Sequence, residues 1–172
     1  MSQSTLPIRL LRCAVVFAFL LVPARSAFAG GDWNDGKIRW RSYDEGLAQA
    51  KKEHKPICLI FYTEWCPHCQ NYSGVFHDPK IEEMTQKFVM IRLDQDKNGE
   101  IGKKYQPDGG YIPRTFFLSP DGALDADLHA PRDPYRYFYD EKAAEGSSSV
   151  LAGMQRALAK YPPAAAAKKA AR

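Results

Sequence analysis

Ile57-Cys58-Leu59-Ile60-Phe61-Tyr62, followed at once by Thr63-Glu64-Trp65-Cys66-Pro67-His68-Cys69-Gln70, is the stretch that decides the fold. The first six residues are apolar and rich in β-branched and aromatic side chains, and they read as a buried strand. After the cysteines no helix breaker occurs until Gly74. Strand, then Cys-x-x-Cys, then helix places Cys66 at a helix N-terminus. Unpaired backbone N–H groups and the positive end of the helix dipole favour a thiolate over a thiol at such a place. Cys69 lies about one helical turn further on, so its sulfur can reach that of Cys66. Pro67 suits the first helical position, where its missing N–H is not needed. His68, when protonated, adds a second positive charge. This is apparatus for reversible thiol–disulfide exchange: Cys66 as nucleophile, Cys69 as resolving cysteine, and Pro67 and His68 as tuning residues.

Composition and charge bound the rest. The chain has 172 residues, 45% hydrophobic and 26% charged, which suits one globular domain with a real core. The formal charge of +4 overstates any affinity for polyanions. Without Arg9, Arg12 and Arg25 of the leader it is +1, and without Lys168, Lys169 and Arg172 of the tail residues 30–167 carry −2. Nucleic acid is therefore not an expected partner. Met1 to Ala29 reads as a secretory signal peptide: basic residues at Arg9 and Arg12, an apolar run Cys13 to Val22, a break at Pro23, and a small-x-small end at Ala27-Phe28-Ala29. An exported chain meets an oxidising compartment. Cys58, Cys66 and Cys69 then remain, and Cys58, mid-strand among Ile57, Leu59 and Ile60, reads as a small buried hydrophobe.

Read in order, residues 30–161 form one domain. Trp33 and Trp40 are expected to cover an edge of the core. Ser42-Tyr43-Asp44-Glu45 is a capping box for a helix to about Glu53, with Leu47, Ala48 and Ala50 facing inward. The cysteine helix runs to about His77, and Asp78-Pro79 caps another, with Ile81, Met84 and Phe88 at helical spacing. Phe88 to Leu93 is a second parallel-type strand. The run Asp94 to Ile101 imitates the first part of an EF-hand loop, but Tyr105 stands where a bidentate glutamate belongs, so no metal is expected there. Thr115–Leu118 is a strand, Ser119-Pro120-Asp121-Gly122 a tight turn, and Ala123–Leu128 is expected to be the last strand. His129 to Asp140 is irregular and tyrosine-rich, expected to pack against the sheet. Ser147–Ser149 caps a last helix with an apolar stripe at Val150, Leu151, Met154, Ala157, Leu158 and Tyr161, stopped by Pro162-Pro163. Residues 162–172 form an Ala/Lys-rich tail expected to be disordered.

The strand-Trp65-Cys66-x-x-Cys69-helix order resembles the active-site signature of the thioredoxin superfamily. Pro67-His68 resembles the inner pair of bacterial periplasmic disulfide oxidases of the DsbA type. Over roughly Gly36 to Tyr161 the chain is similar to the single-domain anterior-gradient group. The carrying residues are Trp40, Glu45-Gly46, Lys55-Pro56, Trp65-Cys66 with Cys69, Phe88-Val89-Met90, the run Pro107-Asp108-Gly109-Gly110-Tyr111-Ile112-Pro113-Arg114, Pro120, and Tyr137-Phe138-Tyr139. The resemblance implies an α/β thioredoxin-like fold, a central mixed sheet with helices on both faces. It implies a cis-proline at Pro113 facing the cysteines, with Trp65, Ile112 and Pro113 as substrate-binding residues. No cofactor is implied.

The expectation is an exported thiol–disulfide oxidoreductase, oxidase or isomerase rather than reductase, because stabilising the reduced form makes a disulfide more oxidising. Its partners would be exported proteins with thiols or disulfides and a membrane redox protein, and a monomer is expected. The periplasm is the expected compartment, with secretion or the endoplasmic reticulum lumen as alternatives, since the chain has no Lys-Asp-Glu-Leu-type signal. Two other classes stay open: a metal module built on Cys66, His68 and Cys69, and a binding or chaperone module on the same scaffold. One departure from the thioredoxin pattern matters. Many thioredoxins carry a buried carboxylate six residues before the first cysteine, and here that residue is Ile60. The proton of Cys69 is then expected to leave slowly, or through Glu64 or water, which speaks against efficient reductase turnover.

Overall fold

Side chains along Ile57–Tyr62 alternate between two apolar layers, and that alternation builds the sheet. The computed structural model describes residues 31–163, so the leader and the tail lie outside the described residues. The elements are β1 (Trp40–Arg41), α1 (Tyr43–Glu53), β2 (Ile57–Tyr62), α2 (Pro67–Gly74), α3 (Pro79–Thr85), β3 (Val89–Asp94), α4 (Gly99–Lys104), β4 (Arg114–Leu118) and α5 (Val150–Lys160). The strand order is β1-β3-β2-β4. Strand β3 runs parallel to both β1 and β2, and β4 is antiparallel to β2. The sheet is mixed, as expected.

On one face Cys58 and Ile60 of β2, Met90 of β3 and Phe117 of β4 pack with Cys69, Tyr72 and Phe76, Ile81 of α3, and Val150, Met154 and Ala157 of α5. On the other, Ile57, Leu59, Phe61, Val89, Ile91, Phe116 and Leu118 pack with Ala50 of α1 and with Tyr105, just past α4. Helices therefore cover both faces. Cys58 is fully buried among these apolar groups. Trp33 closes the β1 edge, its ring 5.9 Å from Trp40, 5.3 Å from Tyr62 and 5.7 Å from Phe76. The Arg92 guanidinium, bound to Asp35 at 3.0 Å, lies 5.0 Å from the Trp40 ring.

Three local expectations change. Ser42 precedes α1, but its hydroxyl donates to Glu45 Oε2 at 2.7 Å instead of accepting from the helix backbone. The Ser42 hydroxyl and its backbone N–H hold the Glu45 carboxyl below its usual range. Ala48 is exposed, and Gly46 and Ala50 face the sheet instead. Helix α1 sits so close that a Cβ on Gly46 would come within 2.4 Å of Ile91. The strand expected over Ala123–Leu128 shrinks to a single bridge, Leu118 to Leu124. The reason is Asp125: its Oδ1 accepts from Asp127 N–H at 3.1 Å and its carbonyl from Leu128 N–H at 3.2 Å, which curls the chain into a turn.

The tyrosine-rich segment covers that side of β4. Thr115 N–H donates to Tyr137 carbonyl at 2.8 Å. Tyr137 packs on Phe116 with centroids 4.5 Å apart, and Tyr139 on Phe117 at 5.7 Å, so the two reach opposite faces of the sheet. Helix α5 starts at the Ser149 cap, whose Oγ accepts from Ala152 N–H at 3.2 Å. No helix among the described residues is long and apolar enough to cross a membrane.

Gly153 sets the spacing of α5 on the sheet. A Cβ there would lie 2.5 Å from Phe117 and 2.7 Å from Tyr139. Glycine to alanine in a helix usually gains about 1 kcal/mol, whereas overpacking a core costs about 1–3 kcal/mol. Gly153→Ala is therefore expected to lower stability, read as a lower urea midpoint at unchanged slope.

Candidate active site

The end of β2 and the start of α2 carry the cysteines. Cys66 is the N-cap of α2 with extended backbone, and Pro67 opens the first turn. Cys69 N–H donates to Cys66 Sγ at 3.1 Å, so the sulfur of the cap residue satisfies one of the helix's orphan donors. Across from it, the Ile112 carbonyl lies 4.0 Å from Cys66 Sγ, and the Ile112–Pro113 peptide bond is cis. Four of the expected site residues, Cys66, Cys69, Ile112 and Pro113, thus lie together.

The cysteines differ in surroundings. Cys69 is fully buried, and burial pushes its thiol well above the ordinary value. The hydrogen bond between the two sulfurs and the negative charges of Cys66 and Glu141 act in the same direction, while a backbone contact from Thr63 acts against them. Cys66 is 3% exposed, at the mouth. Trp65 beside it is 67% exposed, and its indole N–H is tied to Asp96 Oδ2 at 2.8 Å. The remaining two site residues, Pro67 and His68, lie on the exposed side of the first turn. His68 Nδ1 donates to Glu141 Oε2 at 2.7 Å, and its ring meets Phe138 edge-on at 5.8 Å. A cavity of about 440 Å³ opens beside it, lined by His68, Arg132, Tyr135, Phe138 and Glu141 among others.

Several residues that matter here carried no signal of their own in the sequence. Arg114, next to the cis-proline, is completely buried. It donates to Tyr111 carbonyl at 2.8 Å and to Gln95 Oε1 at 2.6 Å, and it lies over the Phe61 ring at 5.2 Å. Burial pulls its pKa down to about 10. Tyr111 in turn donates to Asp108, whose Oδ2 also accepts from Arg136 N–H at 2.7 Å. These bonds tie the proline loop both to the sheet and to the tyrosine-rich segment. Only the run Pro107–Arg114 drew attention to them, and it did so through resemblance. Glu141 and Asn71 had no signal at all. Glu64, one of the expected proton routes, is bound to Lys97 at 2.7 Å on the surface. Asp94 and Asp96 of the loop that imitates a calcium site are engaged with the Lys97 ammonium and the Trp65 indole. Among the described residues no group of three or more His, Cys, Asp or Glu is arranged to hold a metal ion.

A mixed sheet between helical layers, with Cys-x-x-Cys at a helix start facing a cis-proline, defines a thioredoxin-like protein. A family model described as thioredoxin-like matches residues 39–120. A thioredoxin from Thermus thermophilus superposes with a TM-score of 0.56 at 23% identity, over 73% of this chain and 91% of that one. Among curated proteins, anterior gradient protein 2 homolog of Homo sapiens is 30% identical over 127 residues, 73% of this chain and 69% of its own length. Anterior gradient protein 3 of Xenopus tropicalis is 34% identical over 111 residues, covering 63% and 65% of the two chains. The chain belongs to the anterior gradient family within the thioredoxin superfamily, a superfamily of thiol–disulfide oxidoreductases.

Burial of thiols gives a pH prediction for the reduced protein. Cys58, by burial, and Cys69, by burial and its bond to Cys66, both titrate above the ordinary value. The unfolded chain releases these protons first, from about pH 8.5, so it binds fewer protons than the folded state above that pH. Their contribution is complete below about pH 8.5 and is lost as pH rises toward the folded values, by up to about 1.4 kcal/mol per pH unit for each group. The urea midpoint of reduced protein is expected to fall between about pH 8.5 and 9.5, and Cys58→Val to reduce that fall.

Proposed function

We propose that this chain is an exported thiol–disulfide oxidoreductase in which Cys66 is the nucleophile and Cys69 the resolving cysteine. The observation that carries the proposal is one piece of geometry. Cys66 Sγ caps the cysteine helix, accepts from Cys69 N–H at 3.1 Å, and faces the Ile112 carbonyl before cis-Pro113 at 4.0 Å. An extended substrate segment laid against Ile112 would bring its sulfur to Cys66. Trp65, Ile112 and Pro113 would line its path.

With a reduced pair, Cys66 thiolate attacks a substrate disulfide, the leaving sulfur departs as thiolate, and Cys69 then displaces the second substrate sulfur. With an oxidised pair, a substrate thiolate attacks Cys66 and the electrons flow the other way. Helix-terminal N–H groups stabilise the Cys66 thiolate. His68 stands at the adjacent rim, where a positive ring favours the reduced form and makes the disulfide more oxidising. That supports oxidase or isomerase activity over reductase activity. The leader-like Met1 to Ala29 supports export, with the periplasm as the compartment, exported proteins as substrates and a membrane redox protein as the electron partner.

Equilibration in graded glutathione buffers, read by Trp65 fluorescence or thiol trapping, tests the assignment. A reversible disulfide well above the thioredoxin level of about −270 mV is expected. A value at or below that level would overturn the oxidase or isomerase preference. Cys66→Ser is expected to abolish exchange and Cys69→Ser to accumulate mixed disulfides with substrate. Exchange surviving in Cys66→Ser would overturn the mechanism.

A further inference from the structure

Before its sulfur can displace a substrate, Cys69 must lose a proton, and β2 offers no carboxylate to receive it. Ile60 is fully buried among apolar groups. Glu64 faces away, in its pair with Lys97. A carboxylate arrives instead from the loop between β4 and α5. Glu141 lies against the start of α2, its Oε2 accepting from His68 Nδ1 at 2.7 Å and its Oε1 from Asn71 Nδ2 at 3.3 Å. Its side chain is only 12% exposed, and its charge is felt by the Cys69 thiol. The other charged groups at this rim are engaged elsewhere. Asp140 Oδ1 accepts from Lys142 and Ala143 N–H at 2.9 and 3.2 Å. Arg132 donates to Phe138 carbonyl at 3.0 Å and lies over the Phe138 ring at 5.1 Å. Lys142, exposed on the same cavity wall, is a cation and accepts no proton at neutral pH.

We propose that Glu141 is the positioning residue of the resolving step: it holds His68 by Nδ1 beside the cysteine helix, so that the imidazole–carboxylate pair takes the Cys69 proton through water. This rests on the oxidoreductase function proposed above. In the mixed disulfide between Cys66 and substrate, the Cys69 S–H proton passes to the pair. Cys69 thiolate then attacks Cys66 Sγ. The Cys66–Cys69 bond forms as the bond from Cys66 to the substrate sulfur breaks. That sulfur leaves with the electron pair and is protonated from solvent. The substrate disulfide gains two electrons and the dithiol loses two. In the oxidising direction the pair returns the proton to Cys69 as it leaves. The loop between β4 and α5 thus supplies a carboxylate in place of the one that many thioredoxins carry six residues before the first cysteine.

Stopped-flow mixing of the reduced protein with glutathione disulfide separates the two steps: attack is read in the Cys69→Ser background and resolution in chains with both cysteines. Glu141→Gln is expected to lower the ratio of resolution to attack roughly 10-fold or more, less than the roughly 10²–10⁴-fold of a general base itself because Glu141 acts through His68. Glu141→Asp should recover part of the ratio. Acetate should accelerate resolution in Glu141→Ala and leave the natural chain unaffected. Equal slowing of both steps, an unchanged ratio or no response to acetate would overturn the proposal. Should Glu141→Gln fail to fold, Glu141→Ala reads the same ratio, and a value equal to that of the natural chain overturns it. If the natural chain forms no mixed disulfide at all, the oxidoreductase assignment itself falls, which separates the two failures.

Discussion

The pairing of Phe61 with Arg114 is the constraint on which the site depends. Strand β2 ends one residue later at Tyr62, and β4 begins at Arg114. The residues beyond these ends are the cysteine turn on one side and Ile112–Pro113 on the other. Antiparallel register therefore delivers Cys66 and the cis-proline to one edge, where Cys66 Sγ meets the Ile112 carbonyl. A shift of one residue would exchange the faces of β4, turning Phe117 out of one core and Phe116 out of the other. The site inherits its geometry from the packing of the two cores.

Two polar features reinforce that register. The buried Arg114 guanidinium holds the Tyr111 carbonyl and Gln95, so the proline loop is tied to the end of β3 as well as to β4. Asp108 gathers the Tyr111 hydroxyl and the Arg136 N–H, which ties the same loop to the tyrosine-rich segment. That segment sends Tyr137 and Tyr139 to opposite faces of the sheet and presents Phe138 to His68, and Glu141, the residue just after it, bonds the same ring. Packing and chemistry are shared along one short piece of chain.

The order of elements was legible because each carries a local cause. Ser149 and Asp78 sit where caps must sit, and both accept the N–H bonds of their helices. Alternation along β2 and β3 sorted side chains into two layers. Ala123–Leu128 misled because its apolar alternation outweighed Asp125, whose side chain and carbonyl make a turn in place of a ladder. Ala48 misled because helical spacing does not say how near the helix axis lies to the sheet. Against Ile91 only Gly46 fits, and that rotates the buried face of α1.

By itself the sequence determined the chemistry of the site. Cysteine, proline, histidine and cysteine after a buried strand specify a dithiol at a helix start, since that depends on neighbours within one turn of backbone. What only the tertiary structure decided is everything that reaches the pair from a distance. The buried Arg114 and the Glu141 carboxylate come from segments 40 or more residues away, whereas Ile112 was marked by the family resemblance. No local pattern marks them, because an arginine after a proline and a glutamate in a polar loop look like surface residues until two packed layers bring them inward. A carboxylate from far along the chain, Glu141, reaches His68 for that reason. Nearness along the chain put Glu64 beside the cysteines, and the fold turned it toward Lys97 on the surface.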